Sequence, residues 1–171
     1  MAAGNRIVFF GTAALCLPLL EHLRTRFEIP MIISQPDAPA GRRHQLCPPP
    51  VARYALEQGI PLLQPRKLRA EAFRAQVEEA EAAIGVVVAY GRIIPPAIFS
   101  LFPFRTINLH FSMLPEYRGA APVQRALMDG ATRTGMTIFE LEEGLDTGPI
   151  WAVRERAIEP GDTTPVLWER L

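Results

Sequence analysis

Glu81-Ala82-Ala83-Ile84-Gly85-Val86-Val87-Val88-Ala89 is the stretch on which the reading of the fold turns. It ends in the most continuously apolar run of the chain. A strand with one wet face alternates polar and apolar residues, so a run without alternation suits a strand covered on both faces, as in a parallel sheet. It is also far shorter than the roughly 20 apolar residues that span a bilayer. Outward from this run, strand and helix patterns alternate. Arg6-Ile7-Val8-Phe9-Phe10 reads as a first strand, and Gly11-Thr12 turns it into a helix over 13–26, with Leu15, Leu19, Leu20 and Leu23 at helical spacing. Residues 28–34 read as a strand, 35–50 as a long proline-rich loop, 51–58 as a helix, 60–63 as a brief strand and 69–80 as a charged helix. Beyond the run, Pro95-Pro96 opens a short helix, since proline is tolerated in a first turn. A strand over 106–110, a helix over 121–129, strands over 136–140 and 150–156, and the start of a helix over 163–171 follow. This order predicts an α/β fold: an open, doubly wound, mostly parallel sheet with helices on both faces and one antiparallel strand near the C-terminal end.

The chain of 171 residues is long enough for one domain with a real core, and 49% apolar with 21% charged residues is ordinary for a soluble protein. The first residues lead directly into the first strand, so neither a signal peptide nor a membrane partner is expected. Cys16 and Cys47 have no metal or redox spacing and read as reduced thiols of a cytosolic protein. Lys+Arg and Asp+Glu both number 18, but unevenly: nine bases face four acids over residues 1–70, and nine face fourteen over 71–171. That asymmetry permits an anionic partner over the first half, and it equally suits scattered solvated side chains.

The chemistry concentrates later in the chain. If Thr106-Ile107-Asn108-Leu109-His110 is a strand, Asn108 and His110 leave it in one direction, because side chains repeat every two residues. Ser112, Pro115, Gly119 and Pro122 then break regular structure, so the pair sits at the lip of a loop. Gly144-Leu145-Asp146-Thr147-Gly148 offers a carboxylate in a second, glycine-bounded loop, able to orient the imidazole. An amide donor for an oxyanion, an imidazole acid/base and an orienting carboxylate are the equipment for acyl-type chemistry. Taken singly, each has a plainer reading: a hydrogen-bonded structural histidine, a turn asparagine and a loop aspartate.

Other chemistries lack their motifs. Phe10-Gly11-Thr12-Ala13-Ala14 is no GxGxxG, so no dinucleotide cofactor is expected. There is no phosphate-loop lysine and no nucleophile elbow around a serine. His22, His44 and His110 have no metal-ligand spacing, so no metal is expected.

The run Asn108-Leu109-His110-Phe111-Ser112-Met113-Leu114-Pro115, with Gly144-Leu145-Asp146-Thr147-Gly148, resembles the signature of the folate-dependent formyltransferases. The resemblance extends from Arg6 to the C-terminus. It is most detailed toward the branch that formylates initiator methionyl-tRNA, through Gln35-Pro36-Asp37-Ala38-Pro39-Ala40-Gly41-Arg42, Pro48-Pro49-Pro50-Val51, Gln64-Pro65-Arg66-Lys67-Leu68-Arg69, Val86-Val87-Val88-Ala89-Tyr90-Gly91 and Arg118-Gly119-Ala120-Ala121-Pro122-Val123-Gln124-Arg125. There are departures. Ala13-Ala14-Leu15 stand where the family shows Pro-Asp-Phe after the first turn, Arg43-His44-Gln45 replace Gly-Lys-Lys, and Met113 stands where Leu is commoner.

The resemblance implies a Rossmann-like formyltransferase fold in a cytoplasmic bacterial enzyme. It would move a formyl group from 10-formyltetrahydrofolate to the α-amine of initiator methionyl-tRNA. Asn108 would serve as oxyanion donor, His110 as acid/base and Asp146 as orienting carboxylate. It implies folate contacts from Tyr90, Gly91, Arg92, Ile93 and Ile94, from Ser112, Leu114 and Pro115, and from Glu142, Glu143, Gly144 and Leu145. The 35–50 loop, with Arg42, Arg43 and His44, would meet tRNA phosphate, as would Arg118. A solvated loop and a structural ion pair of Arg118 are the alternatives. It further implies that residues 1–171 are a catalytic domain incomplete at its C-terminus, without the family's C-terminal tRNA-binding domain, and a monomer is expected. Sister enzymes that formylate glycinamide ribonucleotide or amino sugars, or hydrolyse the folate, share the trio. A non-catalytic folate- or RNA-binding module is the remaining alternative.

Overall fold

The structure, a computed structural model, describes residues 3–41 and 44–171. The chain divides into two compact units, Met1–Thr106 and Ile107–Leu171.

In the first unit the order is β1 (Arg6–Gly11), α1 (Leu17–Arg24), β2 (Glu28–Ile33), β3 (Ala38–Ala40), β4 (Gln45–Cys47), α2 (Pro50–Glu57), β5 (Leu62–Leu63), α3 (Glu71–Glu79), β6 (Ile84–Val88) and α4 (Pro96–Phe99). Strands β5, β2, β1 and β6 lie side by side in that order, every pair parallel. Val8, Phe9 and Phe10 are fully buried at successive positions of β1. Successive side chains leave a strand on opposite faces, so both faces of β1 are covered. Right-handed crossovers explain how. The chain steps one way from β1 to β2 to β5, which sets α1 and α2 on one face. It then returns past β1 to β6, which sets α3 on the other. Helices α1 and α2 touch each other, as do α3 and α4. Gly85 interrupts the apolar run of β6 because a Cβ there would lie 2.7 Å from Thr106 Oγ1 and 2.9 Å from the Phe102 ring.

The direction of travel reverses between β1 and β6, the place where open α/β sheets leave a crevice beyond the strand ends. Thr12 Oγ1 and Gln35 Nε2 both donate to the Tyr90 carbonyl at 2.8 Å, and Cys16 Sγ donates to the Val88 carbonyl at 3.1 Å. The turn after β6 is thereby tied to the turn after β1.

Two expectations are corrected. The helix expected over 13–26 begins as one 3-10 turn, Ala14–Cys16, and becomes α-helical only from Leu17. Pro18 is the reason: it has no N–H to continue an earlier α-helix and fits only a first turn. The 35–50 segment is not wholly irregular. It contains the antiparallel pair of β3 and β4, with Ala38 opposite Cys47 and Ala40 opposite Gln45, and Pro50 already belongs to α2. Pro39 is tolerated there because both members of a two-stranded ribbon are edges.

The second unit holds β7 (Thr106–His110, whose first residue closes the first unit), α5 (Pro122–Met128), β8 (Arg133–Glu140), β9 (Ile150–Ala157) and α6 (Thr164–Arg170). Strand β8 runs antiparallel to both β7 and β9. The fold is thus α/β, with the antiparallel strand at the C-terminal end. Gly135 lies within β8 because a Cβ there would collide with the Arg154 carbonyl on β9. No helix among the described residues is long and apolar enough to cross a membrane.

The two cysteines differ sharply. Cys16 is fully buried and Cys47 exposed. Burial pushes the Cys16 thiol up to about 11, against smaller lowering by nearby backbone donors. Since the thiolate is the nucleophile, Cys16 is protected both by access and by charge. Under native conditions at mildly alkaline pH, a thiol reagent is expected to modify Cys47 quickly and Cys16 only on unfolding. Fast modification persisting in Cys47→Ser would contradict that burial.

Candidate active site

Asn108 and His110 share one face of β7, as two-residue spacing requires. On β8, Phe139 stands opposite Asn108 and Thr137 opposite His110. Phe139 and Thr137 are fully buried, and His110 is 6% exposed, so the imidazole leaves the strand into a largely dry setting. The Phe139 ring meets it edge-on, with centroids 6.4 Å apart.

Both imidazole nitrogens are engaged. Nε2 lies 2.9 Å from the carbonyl of Tyr117. A carbonyl only accepts, so Nε2 carries a hydrogen. Nδ1 faces Asp146 Oδ2 at 3.7 Å, within ion-pair reach but longer than a hydrogen bond. A second proton, at Nδ1, would turn that contact into an ion pair. The same Oδ2 accepts from the Gly119 N–H at 2.7 Å, which fixes the carboxylate from its other side.

Local backbone geometry holds these groups. Asp146 has φ 52°, a left-handed conformation that aspartate tolerates better than most residues. The flanking glycines are required by space. A Cβ on Gly144 would run into the Thr147 side chain, and one on Gly148 into the Glu140 carbonyl. Thr147 Oγ1 donates to Glu142 Oε1 at 2.7 Å, closing the turn on itself. In the loop after β7, Tyr117 has φ 55° and Gly119 φ 98°. A left-handed tyrosine costs on the order of 1–2 kcal/mol, so the surrounding ties must outweigh it.

The remaining expected residues fall into three groups. In the first unit Tyr90 is buried, and burial pushes its phenol upward while the Arg92 guanidinium pulls the other way. Gly91 is left-handed at φ 76°. Arg92 spends its guanidinium on the carbonyls of Pro65 and Arg66, at 2.6 and 2.9 Å. Ile94 is buried and Ile93 is 83% exposed. In the second unit Leu114 is buried, while Pro115, Glu142, Glu143, Gly144 and Leu145 are exposed. Ser112 is fully buried and donates its hydroxyl to the Glu116 carbonyl at 2.5 Å. Of the residues expected at tRNA, Arg42 and Arg43 lie outside the described residues, and His44 and Arg118 are exposed. Sequence reasoning missed Thr137, the Tyr117 carbonyl and the Gly119 N–H. Two are main-chain groups without a side-chain signature, though Gly119 was itself visible as a glycine.

Residues 5–171 match the family described as Formyl transferase. The chain belongs to the formyl transferase family. It is 48% identical over 166 residues to the methionyl-tRNA formyltransferase of Thermus thermophilus, covering 97% of this chain and 54% of that protein. It is 48% identical over 160 residues to the methionyl-tRNA formyltransferase of Deinococcus radiodurans, covering 93% of this chain and 50% of that one. The chain therefore spans about half the length of these curated relatives. Among solved structures, glycinamide ribonucleotide transformylase 1 of Geobacillus kaustophilus has the same fold, with a TM-score of 0.79 at 21% identity over 98% of this chain and 90% of that one. Among the described residues, no group of three or more His, Cys, Asp or Glu is arranged to hold a metal ion.

The turn around Asp146 makes a specific demand. Gly148→Ala forces a Cβ against the Glu140 carbonyl, whereas at the exposed, left-handed Gly130 a Cβ meets nothing within 4 Å. Gly148→Ala is expected to cost about 2 kcal/mol or more in urea unfolding, and Gly130→Ala only about 1. Equal costs would mean that the backbone approach at Gly148 is not rigid.

Proposed function

We propose that the chain transfers a formyl group from 10-formyltetrahydrofolate to the α-amino group of initiator methionyl-tRNA. The observation that carries this reading is the His110 ring, one nitrogen bonded to the Tyr117 carbonyl and the other facing Asp146, in a chain whose relatives carry the methionyl-tRNA formyltransferase name.

The reaction assigns each group a task. The α-ammonium gives up a proton, and the amine nitrogen attacks the formyl carbon. The carbonyl electrons move to oxygen, and Asn108 donates an amide N–H to that oxyanion. The attacking nitrogen, now positively charged, gives up a second proton; the oxyanion re-forms the carbonyl as the bond from carbon to folate N10 breaks, and N10 takes up a proton. His110 moves these protons. Because Nε2 is committed to a carbonyl, Nδ1 is the nitrogen that gains and loses one. Asp146 stabilises the imidazolium while it lasts. A preorganised donor and a neighbouring carboxylate count for most in a water-poor setting, and His110 is in one.

Folate recognition is assigned to Tyr90, Gly91, Arg92, Ile93 and Ile94 in the first unit and to Leu114, Pro115, Glu142, Glu143, Gly144 and Leu145 in the second. Their backbone donors and acceptors suit a flat ring edge that offers both. The contribution of Arg92 is main-chain, since its guanidinium is already occupied. Arg42, Arg43, His44 and Arg118 are assigned to tRNA phosphate, which basic groups bind irrespective of sequence.

In the full-length protein, formyl transfer to methionyl-initiator-tRNA is expected to be far faster than to glycinamide ribonucleotide. Asn108→Ala is expected to lower kcat by about 100- to 1000-fold. His110→Ala is expected to abolish turnover with an unchanged circular dichroism spectrum. Equal or reversed rates on the two acceptors would overturn the substrate assignment, and near-normal turnover in His110→Ala would overturn the mechanism.

A further inference from the structure

Thr137 stands directly opposite His110 across the β7–β8 ladder and is fully buried. Its hydroxyl makes two bonds at once. It donates to the Ser112 carbonyl at 2.7 Å and accepts from the Leu114 N–H at 3.1 Å. Both partners are main-chain groups of the loop that follows His110. Ser112 Oγ reaches forward to the Glu116 carbonyl, and the Glu116 N–H returns to the Met113 carbonyl at 3.0 Å. Residues 112–116 are thus folded into a tight knot pinned to β8. The next residue is Tyr117, whose carbonyl lies on His110 Nε2, and two further on is Gly119, whose N–H holds Asp146.

A neutral imidazole has one N–H, and here two acceptors compete for it. Asp146 is a carboxylate, and a charge-assisted bond to it is intrinsically stronger than one to a carbonyl. With nothing else acting, the ring would carry its hydrogen on Nδ1 and donate to Asp146. The distances say otherwise: the carbonyl is at 2.9 Å and the carboxylate at 3.7 Å. Something must hold the carbonyl in place. We propose that Thr137 is a positioning residue that sets the His110 tautomer: by pinning 112–116 to β8 it keeps the Tyr117 carbonyl on Nε2 and leaves Nδ1 free of hydrogen on the Asp146 side. Thr137 touches no reacting atom and acts through the loop. The inference rests on the proposed role of Nδ1 only for its catalytic consequence; the tautomer itself stands apart from that reading.

The full-length protein with 15N-labelled histidine tests it. The ring correlations of His110, assigned by their loss in His110→Asn, distinguish Nε2–H from Nδ1–H. The parent protein, above the pH at which the ring loses its charge, is expected to give the Nε2–H pattern. Thr137→Val keeps the volume but removes both bonds, and is expected to move the ring toward Nδ1–H. Its kcat is expected to fall by about tenfold or more with little change in KM. Thr137→Ser restores the hydroxyl and is expected to restore both pattern and kcat. Ser112→Ala removes only the tie to Glu116, is milder for folding, and is expected to shift the tautomer in the same direction. An unchanged Nε2–H pattern in either Thr137→Val or Ser112→Ala, or no recovery in Thr137→Ser, would overturn the proposal. Normal turnover in His110→Ala alongside the expected tautomer shifts would instead remove the catalytic reading and leave the positioning role standing.

Discussion

A carboxylate held in a left-handed turn against the last residue of a strand is the constraint on which this site depends. Asp146 reaches His110 only because the backbone at 144–148 follows a path that most residues resist, with two glycines whose Cβ positions are already occupied by neighbours. The conformational cost at Asp146 is small beside what the turn achieves. It brings a negative charge to 3.7 Å from Nδ1 and lets the Gly119 N–H fix that charge in place. An imidazole between a carbonyl and a carboxylate holds one proton firmly and can take another where the charge is compensated. That is the property a group needs to pass protons between an attacking amine and a departing nitrogen.

The loop after β7 supplies the other half. Strand β7 delivers Asn108 and His110 on one face by its period alone, but the strand cannot decide which ring nitrogen carries a proton. That decision belongs to Tyr117, in a left-handed conformation that follows directly on the bonded run of Ser112, Leu114 and Glu116. A buried threonine facing the histidine completes the arrangement. Its two hydrogen bonds go to backbone, which is the usual fate of a hydroxyl with no water within reach.

Much of this was legible in the residues. The unalternating apolar run over 84–88 and the strand over 106–110 were readable because burial on two faces and two-residue periodicity both leave direct marks on composition. The Asp146 turn was readable because glycine on either side of aspartate signals unusual backbone. What was not readable has a common physical origin. The start of α1 depends on where Pro18 lacks a donor, the β3–β4 ribbon on pairing between segments with little side-chain pattern, and the Tyr117 and Gly119 contacts on main-chain groups that every residue possesses. The tie of Ser112 to the carbonyl four residues on was hidden for the same reason, since its partner is a main-chain group.

Whether His110 and Asp146 act as a single unit is the heart of this account. A double-mutant cycle on formyl transfer, comparing His110→Gln, Asp146→Asn and the double variant, measures it most directly. Groups that work only together lose their contribution once, so the double variant is predicted to be no slower than the worse single one. If the two losses instead multiply, the carboxylate and the imidazole contribute independently, and the coupling that the 3.7 Å contact represents is not what drives the chemistry.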